Sequence, residues 1–144
     1  MPMKVTMMLA DAAQAVENKL YILGGGWSVT GPEPTPFAVA IKLEVPWDQT
    51  NRTHEFGLRL VTDDGNPVSI STPNGQEPIE IKGSFEVGRP AGLPPGTPID
   101  LSLALNSGPL PIPPGKRYTW LLSIDGEADS DWRLGFSTRS SRTG

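Results

Sequence analysis

Few side chains in this sequence combine the type and the spacing that chemistry needs, and the single histidine, His54, comes first among them. An imidazole can serve as a general base or a metal ligand, but a catalytic triad also needs an activated nucleophile and an orienting acid. No Ser-containing nucleophile elbow accompanies His54, so a structural or solvent-facing histidine before a strand is the preferred reading. With one histidine and no cysteine, a zinc site of the usual nitrogen and sulfur ligands is not expected. The weak metal candidates are Asp125, Glu127, Asp129 and Asp131, because acids at alternate positions of a hairpin loop can converge on calcium. EF-hand spacing is not met, and a solvated turn between Ile124 and Trp132 explains the same run. No cofactor is expected.

Gly24-Gly25-Gly26 could expose backbone N–H groups to an anion, but the Gly-Lys-Ser/Thr ending of a phosphate loop is missing, as is a GxGxxG spacing before a helix. The three glycines read instead as a bulge, a bend or a close backbone approach. Asp63-Asp64-Gly65 reads as turn chemistry, and the Asn51-Arg52-Thr53 sequon matters only in a eukaryotic secretory protein. Trp120 and Trp132 stand in register with apolar neighbours and are assigned to the core. Trp27 and Trp47 lie at strand ends beside loops, where a ring serves either as an interaction anchor or as core rim. Asp11, an acid within an otherwise apolar arm, must be hydrogen-bonded inside the fold or exposed at an interface.

These residues need a scaffold, and its class is set by the alternation of apolar residues. Phe37, Val39, Ile41, Leu43 and Val45 alternate with Ala38, Ala40, Lys42 and Glu44; Ile79 to Val87 and Ile99 to Leu105 repeat the pattern. Phe56 to Leu60, Tyr118 to Ile124 and Trp132 to Phe136 do the same, with a hairpin-like DGEADSD between the last two. The stretch from Lys4 to Trp27 predicts a long hairpin: arms Val5 to Val16 and Leu20 to Leu23 flank Glu17-Asn18. Helix propensity competes over Leu9 to Leu20, but the period of two from Val5 to Asp11 favours strand. Sixteen prolines and sixteen glycines fall between the apolar runs, in GPEPTP, RPAGLPPGTP and PLPIPPG, and mark crossovers that cannot pair as central strands. The expected fold is all-β: a two-sheet antiparallel β-sandwich, jelly-roll or immunoglobulin-like, of seven to nine strands. One domain spans 1–137, and 138–144 form a polar tail.

Charge excludes one class of partner. The net charge is -4 and no basic stripe is present, so nucleic acid is not expected. Neither a signal peptide nor an apolar run of membrane-spanning length appears, so no membrane partner is expected.

The segment Leu9 to Trp27, LADAAQAVENKLYILGGGW, resembles a family of small uncharacterised proteins of actinobacteria and their phages. The likeness rests on Ala10-Asp11, Lys19-Leu20 and Gly-Gly-Gly-Trp; it covers the first third of the chain well and the rest loosely. It implies a bacterial or phage origin and a cytoplasmic or virion setting, and carries no catalytic positions. The functional expectation is a non-enzymatic interaction or structural protein, a homo-oligomer or part of a phage or bacterial assembly, with Trp27, Trp47 and Asp11 as contact residues. The alternative is a sandwich module that binds carbohydrate or calcium.

Overall fold

A computed structural model describes residues 3–141; residues 142–144 of the expected tail, and residues 1 and 2, lie outside the described residues. The chain is all-β, and among the described residues the one helical element is a 3-10 turn at Trp47–Gln49. Twelve strands follow in order: β1 (Lys4–Ala10), β2 (Ala12–Val16), β3 (Lys19–Leu23), β4 (Val29–Thr30), β5 (Phe37–Val45) and β6 (Thr53–Thr62) come first. Then come β7 (Ser69–Thr72), β8 (Gly75–Pro78), β9 (Glu80–Glu86), β10 (Ile99–Ser107), β11 (Arg117–Ile124) and β12 (Glu127–Thr138). They form a three-stranded sheet β1-β5-β10, a five-stranded sheet β4-β12-β11-β6-β9, and two-stranded ribbons β2-β3 and β7-β8. The twelve strands exceed the expected seven to nine because the first arm divides at Asp11 and because the two-residue β4 and the short β7–β8 ribbon carry little alternation. Thr138, placed in the tail by sequence, is the last residue of β12, and Arg139 N–H still donates to Thr30 O.

The main core draws on both larger sheets. Val39, Ile41, Leu43 and Val45 on β5 meet Leu58 and Leu60 on β6 and Trp120 and Leu122 on β11 in one buried cluster. The period-two pattern is the cause, since it sends every second side chain to the same face. The sheets adjoin where β1 runs beside β12, and there Trp132 Nε1–H donates to Met3 O at 3.1 Å.

The expected long hairpin is corrected by the structure. Its first arm breaks at Asp11, so β1 pairs with β5 while β2 pairs with β3. Glu17 and Asn18 both take positive φ, 51° and 59°, which gives the two-residue turn whose twist suits a hairpin. The ribbon folds back over the outer face of the three-stranded sheet, where Ala10, Ala13, Ala38 and Ala40 form a second buried cluster with Leu20 and Ile22 against it. β5 is therefore buried on both faces along Phe37–Ile41, and only Lys42 and Glu44 keep the expected solvated side. Alanines there let two backbones approach closely.

Two asparagines lock the ribbon to β10. Asn18 Nδ2–H donates to Asp100 O at 2.7 Å and Asn18 Oδ1 accepts from Ser102 N–H at 2.8 Å, so a side-chain amide mimics a neighbouring strand. Asn106 reciprocates from β10, accepting from Ala13 N–H and donating to Ala13 O. The proline-rich segments carry the chain between the larger sheets, as expected: 31–36 from β4 to β5, 87–98 from β9 to β10, and 108–116 from β10 to β11. Proline lacks the N–H a ladder needs, so these segments do not extend either sheet.

Candidate functional site

His54 is fully buried, at 1% exposure, so the solvent-facing alternative is ruled out. Its Nδ1 lies 2.6 Å from Asp125 Oδ2 and its Nε2 lies 2.7 Å from Gln49 O. Both partners are acceptors when Asp125 is ionised, so the two bonds form together only with a proton on each ring nitrogen. The ring also stacks on Phe85 at 5.2 Å. Asp125 is held from two directions: its Oδ1 accepts from Glu55 N–H at 2.9 Å, and its own N–H donates to Glu55 O. The His54 hydrogen bond, followed by the Glu55 N–H, holds the Asp125 carboxyl below its ordinary value. A general base needs a ring nitrogen facing substrate, and neither nitrogen here is free to do so. The pair ties β6 to the β11–β12 turn.

The acidic run is divided between turn and strand. Asp125 and Gly126 make the turn with φ of 53° and 78°, and β12 begins at Glu127, earlier than the hairpin-like loop expected from sequence. Asp129 and Asp131 fall where the β11–β12 register shifts, and Asp129 Oδ1 accepts from Asp131 N–H. Among the described residues no three acids, histidines or cysteines come together in a cluster able to hold a metal.

Trp47, read from sequence as an interaction anchor or core rim, is partly buried against the main core and is covered by Arg89. The Arg89 guanidinium sits 4.2 Å from its ring centroid, with Nη2–H donating to Trp47 O and Nε–H to Thr50 Oγ1. Asp11 is exposed at the break between β1 and β2, and its carboxyl lies against Gly24 where a side chain would stand. A Cβ on Gly25 would come within 2.5 Å of Ile22 Cγ2. Gly24 and Gly25 thus leave room for neighbouring side chains, while Gly26 faces open space and serves by its positive φ of 91°. Trp120 and Trp132 are buried in the core.

Trp27 has a different setting. With Trp120 it lines a cavity of about 50 Å³ whose apolar wall includes Leu9, Phe37, Ile112 and Phe136. The 31–35 segment forms part of the lining. Trp27 meets Phe136 edge to face at 6.2 Å, and Phe37 lies 6.0 Å from Trp120. The indole nitrogens of both tryptophans are buried and have no protein acceptor. Buried donors are rarely left so, because an unmade hydrogen bond costs about 1 to 3 kcal/mol.

Residues 5–136 match a family of unknown function, DUF6941. The chain belongs to that family. No curated protein and no solved structure matches this DUF6941 chain. Three of the exposed large apolar side chains among the described residues lie on the β2–β3 ribbon, Leu23 at 71%, Tyr21 at 55% and Val16 at 47%, while Val29 on β4 and Leu93 are exposed elsewhere. Register places Leu23 opposite Ala12, Tyr21 opposite Gln14 and Val16 opposite Lys19, so all six share the ribbon's outer face. Sequence reasoning passed over this face, although Leu20-Tyr21-Ile22-Leu23 carries apolar residues on both faces of the strand, more than docking on one sheet requires. Arg89, Leu110 and Ile112 were also missed. For the last two, the signal was an apolar pair embedded among prolines.

No helix among the described residues is long and apolar enough to cross a membrane.

Proposed function

We propose that this DUF6941 chain is a non-catalytic two-sheet β-sandwich that acts through protein contacts, as a homo-oligomer or as a component of a bacterial or phage assembly in the cytoplasm or virion. The observation that carries this reading is the outer face of β2–β3, where Val16, Tyr21 and Leu23 stand exposed on a ribbon locked to the body by Asn18 and Asn106. Isolated exposed apolar residues are ordinary, but three on one fixed face suit an interface. The sandwich architecture is supported by a core drawn from both larger sheets. The non-catalytic reading is supported by His54, whose ring nitrogens are both engaged. Light scattering at micromolar concentration, alone and with proteins encoded by neighbouring genes, tests the proposal. Association is expected; a strict monomer that captures none of them would contradict it.

The second reading is a ligand-binding module. What favours it is the apolar cavity lined by Trp27 and Trp120, in place of the flat aromatic face or acidic calcium loop considered from sequence.

A further inference from the structure

We infer that the outer edge of β3 pairs with itself: two copies of this chain join β3 to β3, antiparallel and about a two-fold axis at Tyr21, so that their ribbons form one continuous sheet. The inference rests on the protein-contact reading and names the partner, a second copy. The β2–β3 ladder shows which backbone groups are left over. In an antiparallel pair, opposite residues alternate between those that bond to each other and those whose N–H and C=O point away. Asn106 takes both backbone groups of Ala13 from outside the ribbon, so Ala13 and its opposite residue Ile22 are of the second kind. By the same alternation Leu20 and Ile22 turn their N–H and C=O to the outer edge of β3, where no strand among the described residues takes them up. Other long edges are closed. Asn18 caps β10 at Ser102 N–H, Asn106 caps β2, β1 runs beside β12, and β9 carries Glu80, Lys82 and Glu86 along its length. β3 has no proline, and its one charge, Lys19, stands at its end.

The sequence of β3 fits a second copy of itself. About an axis at Tyr21, Leu20 meets Ile22 of the second copy, so each outward N–H finds an outward C=O. Tyr21 then meets Tyr21 in a pair without mutual hydrogen bonds, where side chains stand closest. Charge fixes the direction. Lys19 lies at one end of the edge, and Asp11, whose carboxyl lies against Gly24, lies at the other. Antiparallel pairing sets Lys19 opposite Leu23 of the second copy, one position from that copy's Gly24 and Asp11. Parallel pairing in register would set lysine on lysine.

The chain has no cysteine, so a single introduced thiol reports on the pairing without interference. Tyr21→Cys places two thiols across the axis with Cα atoms about 4.5 Å apart, within the range a disulfide spans. Under mild oxidation at micromolar concentration, Tyr21→Cys is expected to give a disulfide-linked dimer. Val16→Cys, on the same face but on the far strand, should cross-link far more slowly. A mixture of Lys19→Cys and Leu23→Cys should give the mixed dimer ahead of either homodimer. In the unsubstituted chain, raising the concentration should slow exchange at Leu20 and Ile22 N–H more than at Tyr21 N–H, which already sits in the β2–β3 ladder. Lys19→Glu should weaken association, and adding Asp11→Lys should restore it. Cross-linking through Val16→Cys in preference to Tyr21→Cys would mean that the ribbons meet face to face, which overturns the edge pairing and leaves the protein-contact reading standing. An edge filled by a different protein, with the chain alone monomeric, would do the same. A strict monomer that captures no partner overturns both.

Discussion

His54 shows how a residue with catalytic potential can be committed to structure. Its ring bridges Asp125 and Gln49 O while lying on Phe85, so His54→Ala removes two hydrogen bonds and leaves a cavity. A loss of about 2 to 4 kcal/mol in chemical denaturation is expected. pH acts through Asp125. Because its carboxyl titrates lower in the folded chain than in the unfolded one, its stabilising contribution is present above the ordinary aspartate value of about 3.9. That contribution is lost as pH falls through the folded value. Denaturation curves from neutral pH into acid should therefore show a loss in the wild type that is smaller in Asp125→Asn. The effect is modest, since the Asp125 side chain is 49% exposed and solvent screens the pair. None of this was legible in sequence, because Asp125 lies 71 positions from His54 and only the fold brings them together. The burial of Trp120 was legible, since its alternation with Tyr118 and Leu122 fixes its face without knowledge of a distant partner.

The β2–β3 ribbon is the element that departs furthest from expectation. Its turn at Glu17-Asn18 could be read from sequence, and so could the backbone role of the glycines that follow. The break at Asp11 could not, because Val5 to Val16 carries no proline or glycine to mark the change of partner. Nor did the alternation on β5 reveal that Ala38 and Ala40 are covered, since alanine suits a solvated face as well as a tight interface. Asn18→Gly keeps the positive φ but deletes the amide that caps β10; a loss of about 1 to 2 kcal/mol is expected. Amide exchange should locate the effect, with Ser102 N–H exchanging faster. Ala40→Leu should cost about 1 to 3 kcal/mol by overpacking the space between sheet and ribbon. Wild-type stability in that variant would mean the ribbon is not closely docked.

At the scale of the whole molecule, alternating strands and proline-rich crossovers were enough to read an all-β chain from sequence. The strand count and the division into four sheets were not, because nothing in Val5 to Val16 marks the break at Asp11 and β4 and β8 carry little apolar pattern. The same arrangement leaves one ribbon face open: the inner face packs on the alanine stripe, and the outer face is left with Val16, Tyr21 and Leu23. Replacing Tyr21 and Leu23 together by serine should abolish association in light scattering. Stability should change by only about 0.5 kcal/mol per site, as for other surface positions. The most direct measurement is hydrogen–deuterium exchange of the associated form against the dilute monomer. Slowed exchange centred on 12–16 and 19–23 is expected. Protection confined to other strands, with the ribbon exchanging as it does in the monomer, would contradict the assignment of this face as the contact surface.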